Sequence, residues 1–339
     1  NKIESEILHW IEKYQLENFI SFNSFSGDEE IQVYNWKESS TSLIPQLSGN
    51  TWPVDRKIPN GVLLRSFSGL VQRVDFDGRD LDAVQTTEDG ATLDHSELAD
   101  KIFEFPAGAQ AGTFMHEVFE EIDFQDSRNW KKIIQKALEK YGFDSNKWLH
   151  VIYSMTQKVI NTPLKSGFSL GNVYRGDRVE EMEFHFPIGR GVITQLAGEL
   201  PDSSFLGRYL RGLAGDQVLE IESQGYLKGL IDLIFRFDDK YFLLDWKSNR
   251  LNGRVDGFGR LGLESEMLDH HYVLQYHLYL VGLLRFLRGR IKEFDYTTHF
   301  GGVYYLFLRG MNEKTDQGVF FDFPEQSVIE KLENFLCQR

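Results

Sequence analysis

The sequence has one cysteine, Cys337, among 339 residues. A single cysteine forms no internal disulfide and excludes zinc and iron–sulfur sites that need four thiolates. Long apolar runs are also lacking: the uninterrupted run in the predicted C-terminal helical region, from Leu278 to Leu284, is far shorter than the roughly 20 residues of a membrane-spanning helix. The N-terminus has no basic-then-apolar signal pattern. These absences predict a cytoplasmic protein that does not enter a membrane.

Basic charge is scarce as well, and the formal net charge of −14 argues against a polyanionic partner. Much of the acidity lies in one segment, residues 75–104, with ten acidic and two basic residues and so a local charge of −8. Residues 225–295 are almost neutral, with eleven basic and ten acidic side chains. Four closely spaced cations in this part of the chain form a candidate basic track for nucleic acid: Lys247, Arg250, Arg254 and Arg260.

Apolar residues make up 41% of the chain and aromatic residues 14%, which is enough for one large core or two modest ones. A short amphipathic pattern and then a polar, proline-containing stretch indicate that residues 1–63 are an appendage and linker. The acidic segment 75–104 has the composition of a solvated loop. We therefore expect the main domain to follow this linker.

Hydrophobic periodicity predicts strands with helices before and after them in the main domain. Helices are expected from about Gly112, Trp130, Asn146, Leu268 and Gln326, the fourth being a long helix over 268–287. Strands are expected over 181–188, 226–237, 241–246 and 303–308. This mixture predicts an α/β or α+β core.

The most informative stretch holds an acid on each of two adjacent predicted strands. If the chain reverses symmetrically at Asp238 and Asp239, Asp232 and Asp245 face each other. Directly opposed like charges are destabilising, and a divalent cation between them would remove the conflict. Lys247, two residues after Asp245, points to the same side of its strand. A three-residue turn would offset the two acids and break the argument.

On spacing alone, an exposed hairpin whose Asp and Lys form a solvated face explains the pattern equally well. The neighbouring residues favour a site, because both acids are embedded in apolar runs. Four apolar residues are expected to share the opposite face: Ile231, Leu233, Leu244 and Trp246.

An acid followed on the next strand by acid-x-Lys resembles the signature of the PD-(D/E)XK nuclease superfamily. The upstream Gly112-Thr-Phe-Met-His116 and the downstream Gln275-Tyr-His-Leu-Tyr279 resemble the additional motifs of its RecB-like branch, in the same order. Longer stretches around these motifs, and His299 to Gly310, resemble the nuclease domain of that branch over about residues 64–339. The resemblance implies a restriction-endonuclease-like core with a mixed central sheet flanked by helices.

Position by position, the resemblance implies that the metal is held by His116, Asp232 and Asp245, with the backbone carbonyl of Trp246 as a further ligand. Lys247 corresponds to the catalytic lysine, and Gln275 and Tyr279 to a pair that supports the site and contacts substrate. Carboxylate ligands suit Mg²⁺, and a histidine ligand suits Mn²⁺ as a substitute. One or two metal ions remain equally compatible with this set.

The function implied is that of a magnesium-dependent exodeoxyribonuclease acting on DNA strands, preferably single ones, in break repair and recombination. The family's helicase motor needs a Gly-x-x-x-x-Gly-Lys-Ser/Thr loop, which this sequence lacks, so we expect a fragment of a longer helicase-nuclease subunit. Its implied partners are DNA, the missing helicase part, and the gamma and alpha subunits of exodeoxyribonuclease V. Two alternatives stay open: a catalytically inactive module of the same fold that binds DNA and partner subunits, and a structural metalloprotein.

Overall fold

The computed structural model describes residues 63–71, 100–165, 167–213, 219–251 and 255–337. All of them belong to one compact unit, residues 61–339. Residues 1–62 of the predicted appendage, the acidic segment up to residue 99 and Arg254 lie outside the described residues. Asp100–Glu104, expected as the end of a solvated loop, is a short 3-10 helix in which Ile102 is buried.

A six-stranded mixed sheet forms the centre of the fold. Its strands are β1 (Leu63–Ser66), β2 (Arg178–Ile188), β5 (Gly225–Phe237), β6 (Lys240–Lys247), β7 (Phe300–Phe307) and β8 (Val319–Asp322). The order is β1-β5-β6-β7-β8, and β2 pairs with β5. A separate two-stranded sheet contains β3 (Gly191–Val192) and β4 (Glu220–Ile221).

Helices cover both faces of the sheet, which confirms the predicted α/β class. In chain order the helices are α1 (Phe67–Val71), α2 (Ala109–Glu121), α3 (Trp130–Lys140), α4 (Ser145–Asn161), α5 (Phe205–Gly212), α6 (Arg260–Asp269), α7 (Tyr272–Arg290), α8 (Tyr296–His299) and α9 (Gln326–Leu336). One face of the sheet packs against α2, α3 and α4, and the other chiefly against α5, α7 and α9. None of the helices in the described ranges is long and apolar enough to cross a membrane.

The long helix predicted over 268–287 is instead two helices, α6 and α7. The chain breaks at His270 and His271, and His271 adopts a left-handed conformation with φ of 58°. The Tyr209 hydroxyl lies 2.7 Å from His271 Nδ1 and stabilises this residue at the break. The expectation of one continuous helix is therefore wrong at its N-terminal end.

Two glycines let α7 approach the sheet closely. A Cβ atom at Gly229 in β5 would lie 2.2 Å from the ring of Phe184, and one at Gly282 in α7 would lie 2.7 Å from the same ring. Real Cβ atoms do not come this close, so Phe184 fits between helix and strand only because both residues are glycine. This packing brings Gln275 and Tyr279 of α7 to the middle of the sheet.

Candidate active site

The β5–β6 hairpin has the register that the sequence predicts. Asp238 and Asp239 have φ of 50° and 59°, as a two-residue type I′ turn requires, and Leu233 pairs with Leu244. Asp232 and Asp245 occupy the next position, where the two strands no longer pair. Instead, the backbone N–H of Trp246 donates a hydrogen bond to Asp232 Oδ2 at 2.9 Å. The two acids therefore flank the point at which the strands separate.

One expected feature of the hairpin is wrong. Leu233, Leu244 and Trp246 pack into one core, whereas Ile231 packs into the core on the opposite side of the sheet. Residues 231 and 233 differ by two and would share a face in a regular strand. They do not, because β5 is irregular at Asp232, which pairs with neither neighbouring strand.

Asp245 and Lys247 form a buried ion pair. Lys247 Nζ lies 2.8 Å from Asp245 Oδ1, and each side chain is 4% exposed. Burial, followed by the charge of Asp232, raises the pKa of Asp245 to about 7. The Lys247 ammonium therefore does not fully compensate the negative charge of the Asp245 carboxylate.

Two tyrosines pack against the Lys247 ammonium. Its Nζ atom lies 4.1 Å from the ring centre of Tyr272 and 5.4 Å from that of Tyr305. Both distances are within the range of cation–π attraction. Tyr305 is also the register partner of Asp245 on β7, so the strand pairing itself places this ring beside the ion pair.

Gln275 connects two of the site's tyrosines. Its Oε1 accepts a hydrogen bond from the Tyr305 hydroxyl at 2.8 Å, and its Nε2 donates one to the Tyr279 hydroxyl at 3.3 Å. Burial raises the pKa of both phenols, so both stay protonated. The structure therefore brings Gln275 and Tyr279 close to the ion pair, and their role in supporting the site and contacting substrate stays a prediction.

His116 approaches from α2, on the other side of the sheet. Its Nε2 lies 3.0 Å from the Trp246 carbonyl oxygen, and its Nδ1 lies 3.6 Å from Asp232 Oδ2. The imidazole thus contacts two of the groups with which it was predicted to bind metal. Its role as a ligand stays a prediction.

Two acids at the site, Glu120 and Glu181, were missed by the sequence reasoning. Glu120 follows His116 by one helical turn, and burial, together with the charge of Glu181, raises its pKa to about 7. Glu181 faces Asp232 on β2, at a position with φ of 50° where the ladder is interrupted. The four-residue spacing from His116 could have identified Glu120, because residues four apart share one face of a helix. No pattern in the sequence distinguishes Glu181 from its acidic neighbours.

The site lies at a gap in the sheet. One edge of β5 pairs with β1 over residues 225–228 and with β6 over residues 233–237. Residues 229–232 on that edge pair with neither strand. Asp245, Lys247, Gln275 and Tyr279 reach this gap from the α7 side, and His116 and Glu120 reach it from the α2 side.

The donor atoms around the gap suit a divalent cation. Carboxylates, a backbone carbonyl and an imidazole are ligands for magnesium or manganese. Asp245 Oδ1 is buried, and beyond its ion pair with Lys247 it has no hydrogen bond of good geometry. In the described ranges, no three His, Cys, Asp or Glu side chains are already arranged to hold a metal. The residues fit a divalent ion by their chemistry, and binding would draw them together.

The four cations predicted as a basic track do not form one continuous exposed surface among the described residues. Lys247 is buried in its ion pair, and Arg250 donates hydrogen bonds to the Phe103 carbonyl. Arg260 is exposed and pairs with Glu264 at 3.0 Å. Lys247 therefore does not belong to a surface track. DNA binding by Arg250, Arg254 and Arg260 stays a prediction.

Comparison with known proteins gives a consistent set of relatives. The chain is 34% identical over 306 residues to the RecBCD enzyme subunit RecB of Escherichia coli K12, which covers 88% of this chain and 24% of that subunit. It is 32% identical over 271 residues to the RecB subunit of Haemophilus influenzae, with 78% and 21% covered. No protein-family model matches. The chain spans about a quarter of the length of these curated relatives. With its α/β fold, it is a homologue of the C-terminal region of RecB subunits.

Proposed function

We propose that the chain is a magnesium-dependent DNA nuclease, the part of a helicase-nuclease that degrades strands in break repair and recombination. The observation that carries the proposal is the buried Asp245–Lys247 pair beside Asp232, at a gap in the sheet. A fold gains no stability from placing two carboxylates together at its centre. A metal-dependent reaction would explain both carboxylates, because they would bind the metal ion.

Asp232 and Asp245 would hold the divalent ion, with His116 and the Trp246 carbonyl as further ligands. The bound ion would activate a water molecule and neutralise charge on the phosphoryl oxygens in the transition state. Lys247 would donate hydrogen bonds to the attacking water or to the phosphate. Tyr272 and Tyr305 restrict the movement of its ammonium, and Gln275 holds the Tyr305 hydroxyl.

We also propose the assembly in which this reaction takes place. Homology to RecB subunits supports the helicase part of the same subunit, and the gamma and alpha subunits of exodeoxyribonuclease V, as partners. That motor would deliver single strands to the site, in the cytoplasm. Exonucleolytic cleavage, rather than cleavage within strands, follows from delivery of a strand end.

Magnesium-dependent cleavage of an end-labelled single strand tests the proposal. The unmodified chain is expected to cleave with Mg²⁺ or Mn²⁺ and to be inactive with excess chelator. Asp232→Asn should abolish cleavage. Asp239→Asn, which changes an exposed acid in the turn of the same hairpin, should leave it unchanged. A folded chain that binds the strand but cleaves it with neither metal would contradict the proposal and support an inactive module.

A further inference from the structure

Within the part of the chain that the structure describes, no helix covers one face of the sheet beside the site. Along β5, Leu227, Gly229 and Ile231 are buried on the α7 side, while Tyr226 and Leu230 on the opposite side are 42% and 40% exposed. From Leu233 to Phe235, both sides of the strand are buried, because the layer of α2, α3 and α4 begins there. The uncovered face therefore ends at Asp232.

Three strands contribute to this face in register. Leu64 of β1 and Pro187 of β2 both pair with Tyr226, and His185 pairs with Lys228. Directly paired residues lie on the same face, so these side chains stand in rows across the sheet. We call the face the sheet platform, and its residues are Leu64, Ser66, Glu183, His185, Pro187, Tyr226, Lys228 and Leu230.

The rows change in character toward the site. The row farthest from it is apolar and aromatic, with Leu64, Tyr226 and Pro187. Beyond the row of Glu183 and Leu230, Asp232 and Glu181 lie at the gap, where the direct pairing of β2 with β5 is interrupted. Six residues of strand separate Tyr226 from Asp232, a distance of about 20 Å.

The charges on the platform largely neutralise one another. Lys228 Nζ lies 2.5 Å from Glu183 Oε2, and His185 Nε2 lies 3.4 Å from Glu183 Oε1. No strong excess of positive charge is left here to attract phosphates. What the platform presents is an exposed aromatic ring among aliphatic side chains, which suits contact with bases.

Its size also favours a nucleic acid strand over a protein. Three strands spaced about 4.8 Å apart, over a length of about 20 Å, give a footprint of roughly 200 Å². A stable protein–protein interface takes about 800 Å² from each partner. A single extended strand, in contrast, needs only a narrow path with stacking positions.

We infer that the sheet platform binds the bases of a single DNA strand, with Tyr226 as the stacking residue. The bound strand then extends along β5, so that one of its phosphates reaches Asp232 and Asp245. This inference rests on the proposed nuclease function and adds to it the path by which the strand reaches the site. The contact is independent of base identity, because every base has a face that can stack.

The test is the binding of a labelled oligothymidylate of about 12 nucleotides to the full chain, without divalent metal so that no cleavage occurs. Tyr226→Ala should weaken binding by about 5- to 100-fold, the effect expected for one lost base stack. Tyr226→Phe should bind like the unmodified chain. The matched control is Phe286→Ala on α7, since Phe286 is also 42% exposed but lies on the other side of the sheet.

Two further readouts identify the mode of binding. An abasic strand of the same length should bind weakly to the unmodified chain and should lose nothing further on Tyr226→Ala. The slope of log affinity against log salt should be the same with and without the ring, because Tyr226 carries no charge. Equal affinities of Tyr226→Ala and Phe286→Ala for the strand would overturn the inference, as would an altered salt slope.

Failure of this inference differs from failure of the proposed function. If the unmodified chain cleaves with Mg²⁺ and Tyr226→Ala changes neither binding nor cleavage, the platform assignment is wrong and the nuclease stands. If the unmodified chain does not cleave but Tyr226→Ala still weakens binding, the nuclease proposal is wrong and the platform stands as a binding surface.

Discussion

The Lys247 ammonium lies 2.8 Å from Asp245, and yet the pKa of Asp245 stays raised to about 7. Burial and the negative charge of Asp232 thus outweigh the attraction of the lysine. In the metal-free protein, the ionised form of Asp245 is unfavourable. An additional cation at the gap would remove this conflict, which makes the two aspartates the first residues to test.

Asp245→Asn is therefore expected to abolish cleavage and to leave the metal-free fold at least as stable as that of the unmodified protein. The amide keeps the shape of the side chain and removes the repulsion from Asp232. Cleavage assays with Mg²⁺ and thermal unfolding with chelator present measure the two effects. Near-native activity in the folded variant would show that the site is misassigned.

Lys247→Ala and His116→Ala should differ in how they affect metal and turnover. Loss of Lys247 should lower turnover while Mn²⁺ affinity changes little, and loss of His116 should weaken Mn²⁺ binding itself. Calorimetric titration and turnover measured on the same preparations separate the two roles. Lys240→Ala, at the other end of β6, is the control, because its Nζ donates a hydrogen bond to the Thr297 carbonyl, which lies outside the site. An equal loss of Mn²⁺ affinity in both site variants would mean that the roles are wrongly assigned.

His277 should make the protein sensitive to acid. Complete burial lowers its pKa to about 4, and its Nδ1 donates to the Val273 carbonyl. A histidine with a depressed pKa contributes stability that is present above its unfolded pKa of about 6.5 and is lost as the pH falls toward 4. Between pH 7 and 4.5 this loss amounts to about 2 kcal/mol.

His277→Phe should reduce this acid sensitivity while retaining an aromatic ring beside Tyr276. Urea unfolding at pH 7 and pH 4.5 gives the free energy of unfolding for both proteins. The unmodified protein should lose about 2 kcal/mol more than the variant between these pH values. Equal losses would mean that His277 is not the responsible group.

Arg250 and Arg260, both predicted from sequence to bind DNA, should behave differently. If a few phosphates are neutralised, the slope of log affinity against log salt for a single strand is about −2 to −3. Arg260→Ala should reduce the magnitude of that slope by about 0.7, because it removes an exposed charge. Arg250→Ala should chiefly lower thermal stability, since its guanidinium bonds to the Phe103 carbonyl. A slope near zero in the unmodified chain would exclude a basic track altogether.

The hairpin was predictable because its geometry depends on local sequence alone. Two aspartates that tolerate a left-handed conformation make the turn, and the turn length sets the partners up to Leu233 and Leu244. The break between α6 and α7 was not predictable in this way. His270 and His271 are neither glycine nor proline, and His271 is held by Tyr209, which lies 62 residues earlier in the chain.

The same distinction separates the site residues that were identified from those that were missed. Asp232, Asp245 and Lys247 form a short-range pattern on adjacent strands. Glu181 reaches the site only through the pairing of β2 with β5, and Arg250 is withdrawn from the surface by Phe103, 147 residues away. Such contacts depend on the tertiary fold, and a single sequence does not reveal them.

The turn at Asp238 and Asp239 also limits how the chain can change in length. Exposed loops usually accept an extra residue at little cost. Here one inserted residue would shift β6 against β5 and turn Asp245 and Lys247 to the opposite face of the sheet. A solvent-exposed turn about 20 Å along the strand from Asp232 is therefore expected to accept Asn or Gly in place of either aspartate but no insertion or deletion.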